Sequence, residues 1–199
     1  DYAKEKGIRL SFHPGPFNIL SSPKEHVVKN AITDLEIHGQ IMDLMGMPRN
    51  HNAKINIHIG ASYGDRDAST KRFVKNFHTL SDAVKSRLTV ENDDRKNLYS
   101  THDLYESVYK KAGIPIVFDY HHQFCNRQEL TEKEALEMAL STWGDTRPCT
   151  HYSESKRNKE GHKVVENAHS DYIYDKINDY GNKFDIVVEA KAKELALIK

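Results

Sequence analysis

The sequence predicts an α/β fold, a TIM-type (β/α) barrel carrying about six of its eight strands in a single domain over residues 1–199. Three observations lead there. Six short Val- and Ile-rich runs alternate with helix-forming segments, the order of a wound parallel sheet. Each run carries a His, Asp or Glu near its C-terminal end, the end at which barrel strands converge on the active-site face. The length falls short of the ~250 residues usual for eight βα units. Because "DYAKEKG" (1–7) reads as the tail of a helix, the missing units are expected to be the N-terminal ones.

The strand runs are "IRLSFH" (8–13), "AKINIHIG" (53–60), "RLTVEND" (87–93), "IPIVFDY" (114–120), "PCTHYS" (148–153) and "FDIVVEAK" (184–191). They are apolar on both faces in part, which suits a sheet covered by helices. Helix punctuation falls between them. "SSPKE" offers Ser22 as N-cap, Pro23 at the first helical position and Glu25 at the capping-box position. The helix that follows sets Val28, Ile32, Leu35, Met42 and Met45 near one face and stops at Gly46. "STKRFVKNFHTL" places Phe73, Phe77 and Leu80 at helical spacing. "STHDLYESVYKKAGIP" carries a Ser100…Asp103 cap and Gly113 before the next strand. "TEKEALEMALSTW" repeats the capping box with Thr131 and Glu134, and "SDYIYDKINDYG" predicts a helix from Ser170 to Gly181.

Composition narrows the function classes. Lys+Arg and Asp+Glu each number 29, so there is no global basic field, and a nucleic-acid partner would need a local patch or bound cations. No apolar run approaches the ~18 residues of a membrane span. The start "DYAKEKGIRL" has no apolar signal-like core. Two cysteines, Cys125 and Cys149, are too few for a disulfide framework, and an intracellular setting is expected.

The strand ends present His13, His58, Glu91, Asp119 with His122, His151 and Glu189, spaced 28 to 45 residues apart like βα units. One histidine at a strand end is ordinarily a hydrogen-bonded core residue. Six ends in register point instead to a divalent metal site of imidazole and carboxylate ligands, suited to Zn, Mn or Fe. His169, in "ENAHSDY", lies on the loop after His151 and can reach the same face, whereas His162 sits in a polar loop that could touch phosphate. His26, His38, His51, His78 and His102 read as structural or surface residues.

The motifs "RLSFHPGPFN", "NIHIGASYGD", "RFVKNF", "LTVENDD", "VFDYHHQFCN", "THYSES", "AHSDYI" and "VVEAKAKE" resemble the UV damage endonuclease family, in family order from residue 8 to about 194. The family is related to the endonuclease IV and sugar-isomerase barrels. The resemblance implies a metal-dependent hydrolase that nicks damaged double-stranded DNA 5′ to UV photoproducts, with a divalent cluster in which Mn is foremost and Zn, Mg or Co are alternatives. It implies one metal site at His13, His58 and Glu91. Glu91 would bridge to a second with Asp119, His151 and Glu189, and His122 and His169 would serve a third. Glu91, Asp119, His151 and Glu189 would carry the catalysis, the two glutamates as ligands rather than a free base. The family's lesion-probing Gln-Tyr pair is here Pro16 and Phe17, of which Phe17 can still stack beside an unstacked base. Where some members carry a lysine two residues before the His of "THYS", this chain has Cys149, read as inert packing.

Lys156 and Arg157, in the basic loop "SESKRNKEGHK", are the expected grips on DNA phosphate, with Lys159, Lys163, Arg66 and Arg72 as further candidates. No protein or membrane partner is expected. Alternative readings keep the barrel and its metals but change the role: an abasic-site endonuclease, a sugar isomerase, or a non-catalytic copy that binds damaged DNA.

Overall fold

In the computed structural model, which describes residues 2–161 and 163–198, five short parallel strands form one sheet in sequential order. They are β1 (Ile55–Ile57), β2 (Leu88–Glu91), β3 (Ile116–Asp119), β4 (Cys149–Tyr152) and β5 (Asp185–Val188). All neighbours pair in parallel, with Ile55 opposite Leu88, Glu91 opposite Val117, Asp119 opposite His151 and His151 opposite Val187. Sequential parallel order means every crossover steps the same way, so the sheet curls into a half-barrel instead of reversing at a switch point.

The run at 8–13 is reduced to a single bridge. Phe12 pairs with Ile55, donating to Lys54 O at 2.9 Å and accepting from Asn56 N–H at 2.9 Å. Pro14, which has no N–H, lies two residues on, and among the described residues the pairing stops at this bridge. The other edge is more open. β1 to β4 are buried throughout, whereas Ile186, Val187 and Val188 of β5 remain 37 to 38% exposed.

The helices are α1 (Tyr2–Glu5), α2 (Glu25–Leu44), α3 (Arg66–Phe77), α4 (Asp82–Lys85), α5 (Thr101–Leu104), α6 (Lys110–Ala112), α7 (Tyr120–Cys125), α8 (Glu132–Leu140) and α9 (Lys156–Glu160). Both capping boxes form: Ser100 with Asp103 on α5 and Thr131 with Glu134 on α8. From α5 the chain passes through a π-turn at Tyr105–Tyr109 into α6, which ends at left-handed Gly113. Against expectation, Ser22 does not cap α2. The cap position is Lys24, and Ser22 Oγ accepts the Lys24 N–H at 3.1 Å. The preceding loop is pinned by Ser21 Oγ to Ile59 O and by Asn76 to Leu20 O, so the chain turns into the helix only after Pro23. Nor does α2 bury all of its expected stripe. Ala31, Leu35, Gly39 and Met42 are buried, while Met45 lies exposed.

The helix expected at 170–181 is absent. Its N–H groups have tertiary partners instead. Glu154 takes the amides of Tyr174 and Asp175, and Tyr120 OH donates to Asn178 O. Ile173 and Ile177 still pack on the core, so the apolar spacing is used without the helix. That core lies between the sheet and the helices, around Phe73, Leu88, Val90, Ile116, Phe118 and Leu136.

At the N-terminal end of the strands, Arg87 is fully buried. It pairs with Asp43 at 2.8 Å and donates to the carbonyls of Pro48, Met47 and Ala83. Arg87→Ala leaves these acceptors stranded and is expected to cost about 3 kcal/mol, read as a lower urea midpoint at unchanged m-value. An unchanged midpoint would mean that water replaces the guanidinium. No helix among the described residues is long and apolar enough to cross a membrane.

Candidate metal centre

Parallel strands deliver their C-terminal residues to one face, and the ligand candidates gather there. Glu91, the last residue of β2, is wholly buried at the centre. His13 Nε2 lies 3.2 Å from its Oε2, His151 Nδ1 3.1 Å from the same oxygen, and His122 Nδ1 3.3 Å from Oε1. His58 Nε2 stands 3.9 Å from Oε1. Glu189, just beyond β5, meets His151 Nδ1 at 3.1 Å, and His169 Nδ1 lies 3.9 Å from Glu189. Three sets have ligand atoms close enough to share a cation: His13–Glu91–His151, His58–Glu91–His122, and Asp119–His151–Glu189.

This grouping differs from the expected one. His13 and His58 fall in different sets that share Glu91, His122 groups with His58, and the His169 ring lies 6.0 Å from that of His122 without entering the three sets. His121 enters none of the three sets. It stacks on Phe124, and its buried ring is held below the usual imidazole range by desolvation, then by neighbouring His169. Asp119 and His122 meet because β3 ends at Asp119 and α7 starts at Tyr120. Asp119 is its N-cap and accepts the His122 N–H at 2.7 Å, so one helical turn, not a loop, brings the imidazole back over the carboxylate.

The electrostatics fit a cation. Burial would raise the Glu91 carboxyl, but His151, His58, His122 and His13 together pull it well below the usual carboxylate range. Burial lowers His151, yet Glu91 and Glu189 more than offset this and bring it to about 9. Glu189 is held at about 2 by His151 against the opposing effect of burial. Asp119 is raised by burial, only partly offset by His122. Five buried atoms of this cluster lack an aligned hydrogen-bond partner among the described residues: His58 Nδ1, Glu91 Oε1, Asp119 Oδ2, His151 Nδ1 and His169 Nδ1. Buried polar atoms left over in this way are costly unless something binds them, and imidazole with carboxylate is the donor set of a divalent metal.

Four further residues shape the centre and were not singled out from the sequence. Lys54, 1% exposed, reaches His151 Nε2 at 3.2 Å, with its ammonium destabilised by burial. Asn56 donates to Glu91 Oε2 at 2.5 Å. Asn92 accepts the Asp119 N–H and offers its own carbonyl to His122 Nδ1, and Asp93 stands 3.0 Å from His58 Nδ1. The signal was available in part. Lys54, Asn56 and His58 alternate with Ile55 and Ile57, which puts the three polar residues on one face. Cys149 packs with Val117 and Trp143, and burial raises its thiol above the ordinary range, as inert packing requires.

A groove of about 1170 Å³ opens over the cluster, lined by His13, Pro16, His58, Tyr63, Arg95 and Lys191 among others. Phe17 projects beside it, 84% exposed. Lys156 is engaged by Asp171 at 2.7 Å and Glu160 at 3.7 Å, whereas Arg157 is exposed. Arg66 is held by Asp103 and Leu98 O, and Arg72 by Ser21 O, so these two cations are already committed. His162 lies outside the described residues.

A family model described as UV-endonuclease UvdE matches residues 1–199. The chain belongs to this UvdE family. The UV DNA damage endonuclease of Bacillus cereus (strain B4264) is 36% identical over 201 residues, which cover 98% of this chain and 62% of the relative. That of Bacillus thuringiensis subsp. konkukian (strain 97-27) is 36% identical over 209 residues, with 98% and 62% covered. The chain thus spans less than two thirds of the length of these UvdE relatives. The crystal structure of SacUVDE superimposes with a TM-score of 0.85 at 32% identity, over 98% of this chain and 65% of that one. A D-psicose 3-epimerase from Clostridium cellulolyticum H10 matches with a TM-score of 0.57 at 19% identity, over 78% of this chain and 56% of that one, a likeness of fold alone.

Proposed function

We propose that this chain carries the catalytic metal centre of a UV-damage DNA endonuclease that nicks the phosphodiester backbone 5′ to cyclobutane dimers and 6-4 photoproducts. The observation that carries the reading is the convergence of His13, His58, Glu91, Asp119, His122, His151 and Glu189 under an open groove, with Asp119 Oδ2 buried and without a hydrogen-bond partner among the described residues. Divalent cations, manganese foremost, would there lower the pKa of bound water, neutralise the scissile phosphate and stabilise the leaving oxygen. The protein's part is to hold the donors ready. Asn56 and the surrounding imidazoles keep Glu91 ionised and oriented, and Lys54 positions the His151 ring from Nε2, which turns Nδ1 towards Glu91 and Glu189, where a cation would be held. Arg95, Lys191 and Lys193 on the groove wall supply positive charge for phosphate, with Arg157 further out. Phe17 offers an apolar face for an unstacked base.

The test uses end-labelled duplexes that are undamaged, UV-irradiated or abasic, incubated with the protein and Mn²⁺, with a chelator control. Nicking confined to irradiated DNA and abolished by chelator is expected. Nicking only at abasic sites would reassign the substrate, and no nicking by a folded, metal-loaded protein would overturn the reading.

Metal uptake is also expected to release protons. His151, raised to about 9, holds a proton at pH 7 in the metal-free protein; His58 and His122 are shifted in the same direction, and each ring must be neutral to coordinate. Affinity for Mn²⁺ is therefore expected to rise with pH and to level off above about 9. Calorimetry in two buffers of different ionisation enthalpy measures the release, and a buffer-independent heat at pH 7 would contradict it.

A further inference from the structure

The loop after β1 holds an aromatic residue where the backbone favours a small polar one. Ser62, Tyr63, Gly64 and Asp65 form a tight turn closed by Asp65 N–H to Ser62 O at 2.9 Å. Tyr63 and Gly64 are both left-handed, with φ of 51° and 79°. Two successive positive φ values belong to turns that Gly, Asn and Asp adopt readily, whereas a tyrosine in the first place is strained. Nothing in the turn itself calls for an aromatic ring. Its other duties fall to neighbours: Asp65 caps α3 through the Ala68 N–H, and Ser62 O is held by Ser69 Oγ at 2.7 Å.

The strain has a use if the ring must stand where it does. Tyr63 lines the groove over the metal cluster together with Pro16 and is 44% exposed. Its ring is backed by the Arg72 guanidinium, 5.7 Å from the centroid. Arg72 is itself fixed, donating to Ser21 O at 2.7 Å and Ser69 Oγ at 2.8 Å. Ser21 in turn donates to Ile59 O, so the loop carrying Pro16 and Phe17 and the loop carrying Tyr63 are clamped together. The close approach is built in at Gly60 (φ 93°), where a Cβ would come within 2.7 Å of Ile19. A rigid, half-exposed ring beside the ligand cluster is a platform for a planar π-system, and a cation behind an aromatic ring strengthens its hold on its place.

We propose that Tyr63 is a second stacking post of this groove, taking the face of a nucleobase displaced from the duplex beside the damage, on the neighbouring loop to Phe17. The proposal rests on the endonuclease reading above and adds a contact to it. Tyr63→Asn relaxes the turn while removing the ring, and Tyr63→Phe keeps the ring. With Mn²⁺ present, binding of a duplex bearing a thymine dimer flanked by 2-aminopurine is followed by fluorescence. Tyr63→Asn is expected to melt no lower than the parent, to bind about tenfold more weakly and to lose 2-aminopurine quenching, while Tyr63→Phe behaves as the parent. Parent-like affinity and quenching in Tyr63→Asn would overturn the proposal while leaving the endonuclease reading intact. Failure of the parent to prefer damaged duplex would overturn that reading first and the stacking role with it.

Discussion

Glu91→Gln is expected to reduce nicking of irradiated duplex roughly a thousandfold, a loss of about 4 kcal/mol of transition-state stabilisation, while the chain stays folded. Glu91 is shared by two of the three ligand sets, and His151 of the third touches it at 3.1 Å, so no set is independent of its charge. Glutamine has the same reach and can still accept from Asn56, which limits the damage to the fold. A stability signature should accompany the loss. A carboxyl held below its unfolded value contributes stability above that value and loses it as pH falls. The parent should therefore weaken towards acid more steeply than Glu91→Gln, as read by urea midpoints between pH 7 and pH 3. Retained nicking in the variant would remove Glu91 from the centre of the mechanism.

The second large effect is expected at Asp119, where one side chain does two jobs. Its Oδ1 caps α7 by accepting the His122 N–H, and its Oδ2 is buried without an aligned partner beside His151 and Glu189. Asp119→Asn keeps an oxygen for the cap and loses the anionic ligand. It is expected to fold like the parent but to bind Mn²⁺, and to nick, at least roughly a hundredfold more weakly. Asp119→Ala loses both, and should add about 1 to 2 kcal/mol of destabilisation from the uncapped helix. Metal titration and urea unfolding on the pair separate the roles. Equal stability of the two variants would show that the cap matters little, and parent-like metal affinity in Asp119→Asn would remove it as a ligand.

The stretch from Phe118 to His122 marks how far the sequence could be read. Strand periodicity alone separates Asp119 from His122, although the family resemblance makes both of them ligands. The resolution, a helix beginning at the very next residue, depends on where β3 stops, which is set by its pairing with β4. The helix expected at 170–181 failed for a related reason. Local pattern favoured it, but Glu154, brought alongside by β4, captured two of its amides. Ser22 lost its capping role because contacts to Ile59 and α3 hold the preceding loop in place.

By itself, the sequence determined the parallel α/β order, the family, and the residue types waiting at each strand end, because these depend on local alternation and on motifs short enough to read in line. The tertiary structure alone decided which candidate ligand faces which, that Glu91 sits at the centre, and that Lys54, Asn56 and Asn92 brace the cluster. Those facts turn on the curvature and register of a sheet that brings together residues 28 to 45 positions apart in the chain, and distances of a few ångströms between such residues are properties of the tertiary packing, not of any segment within it.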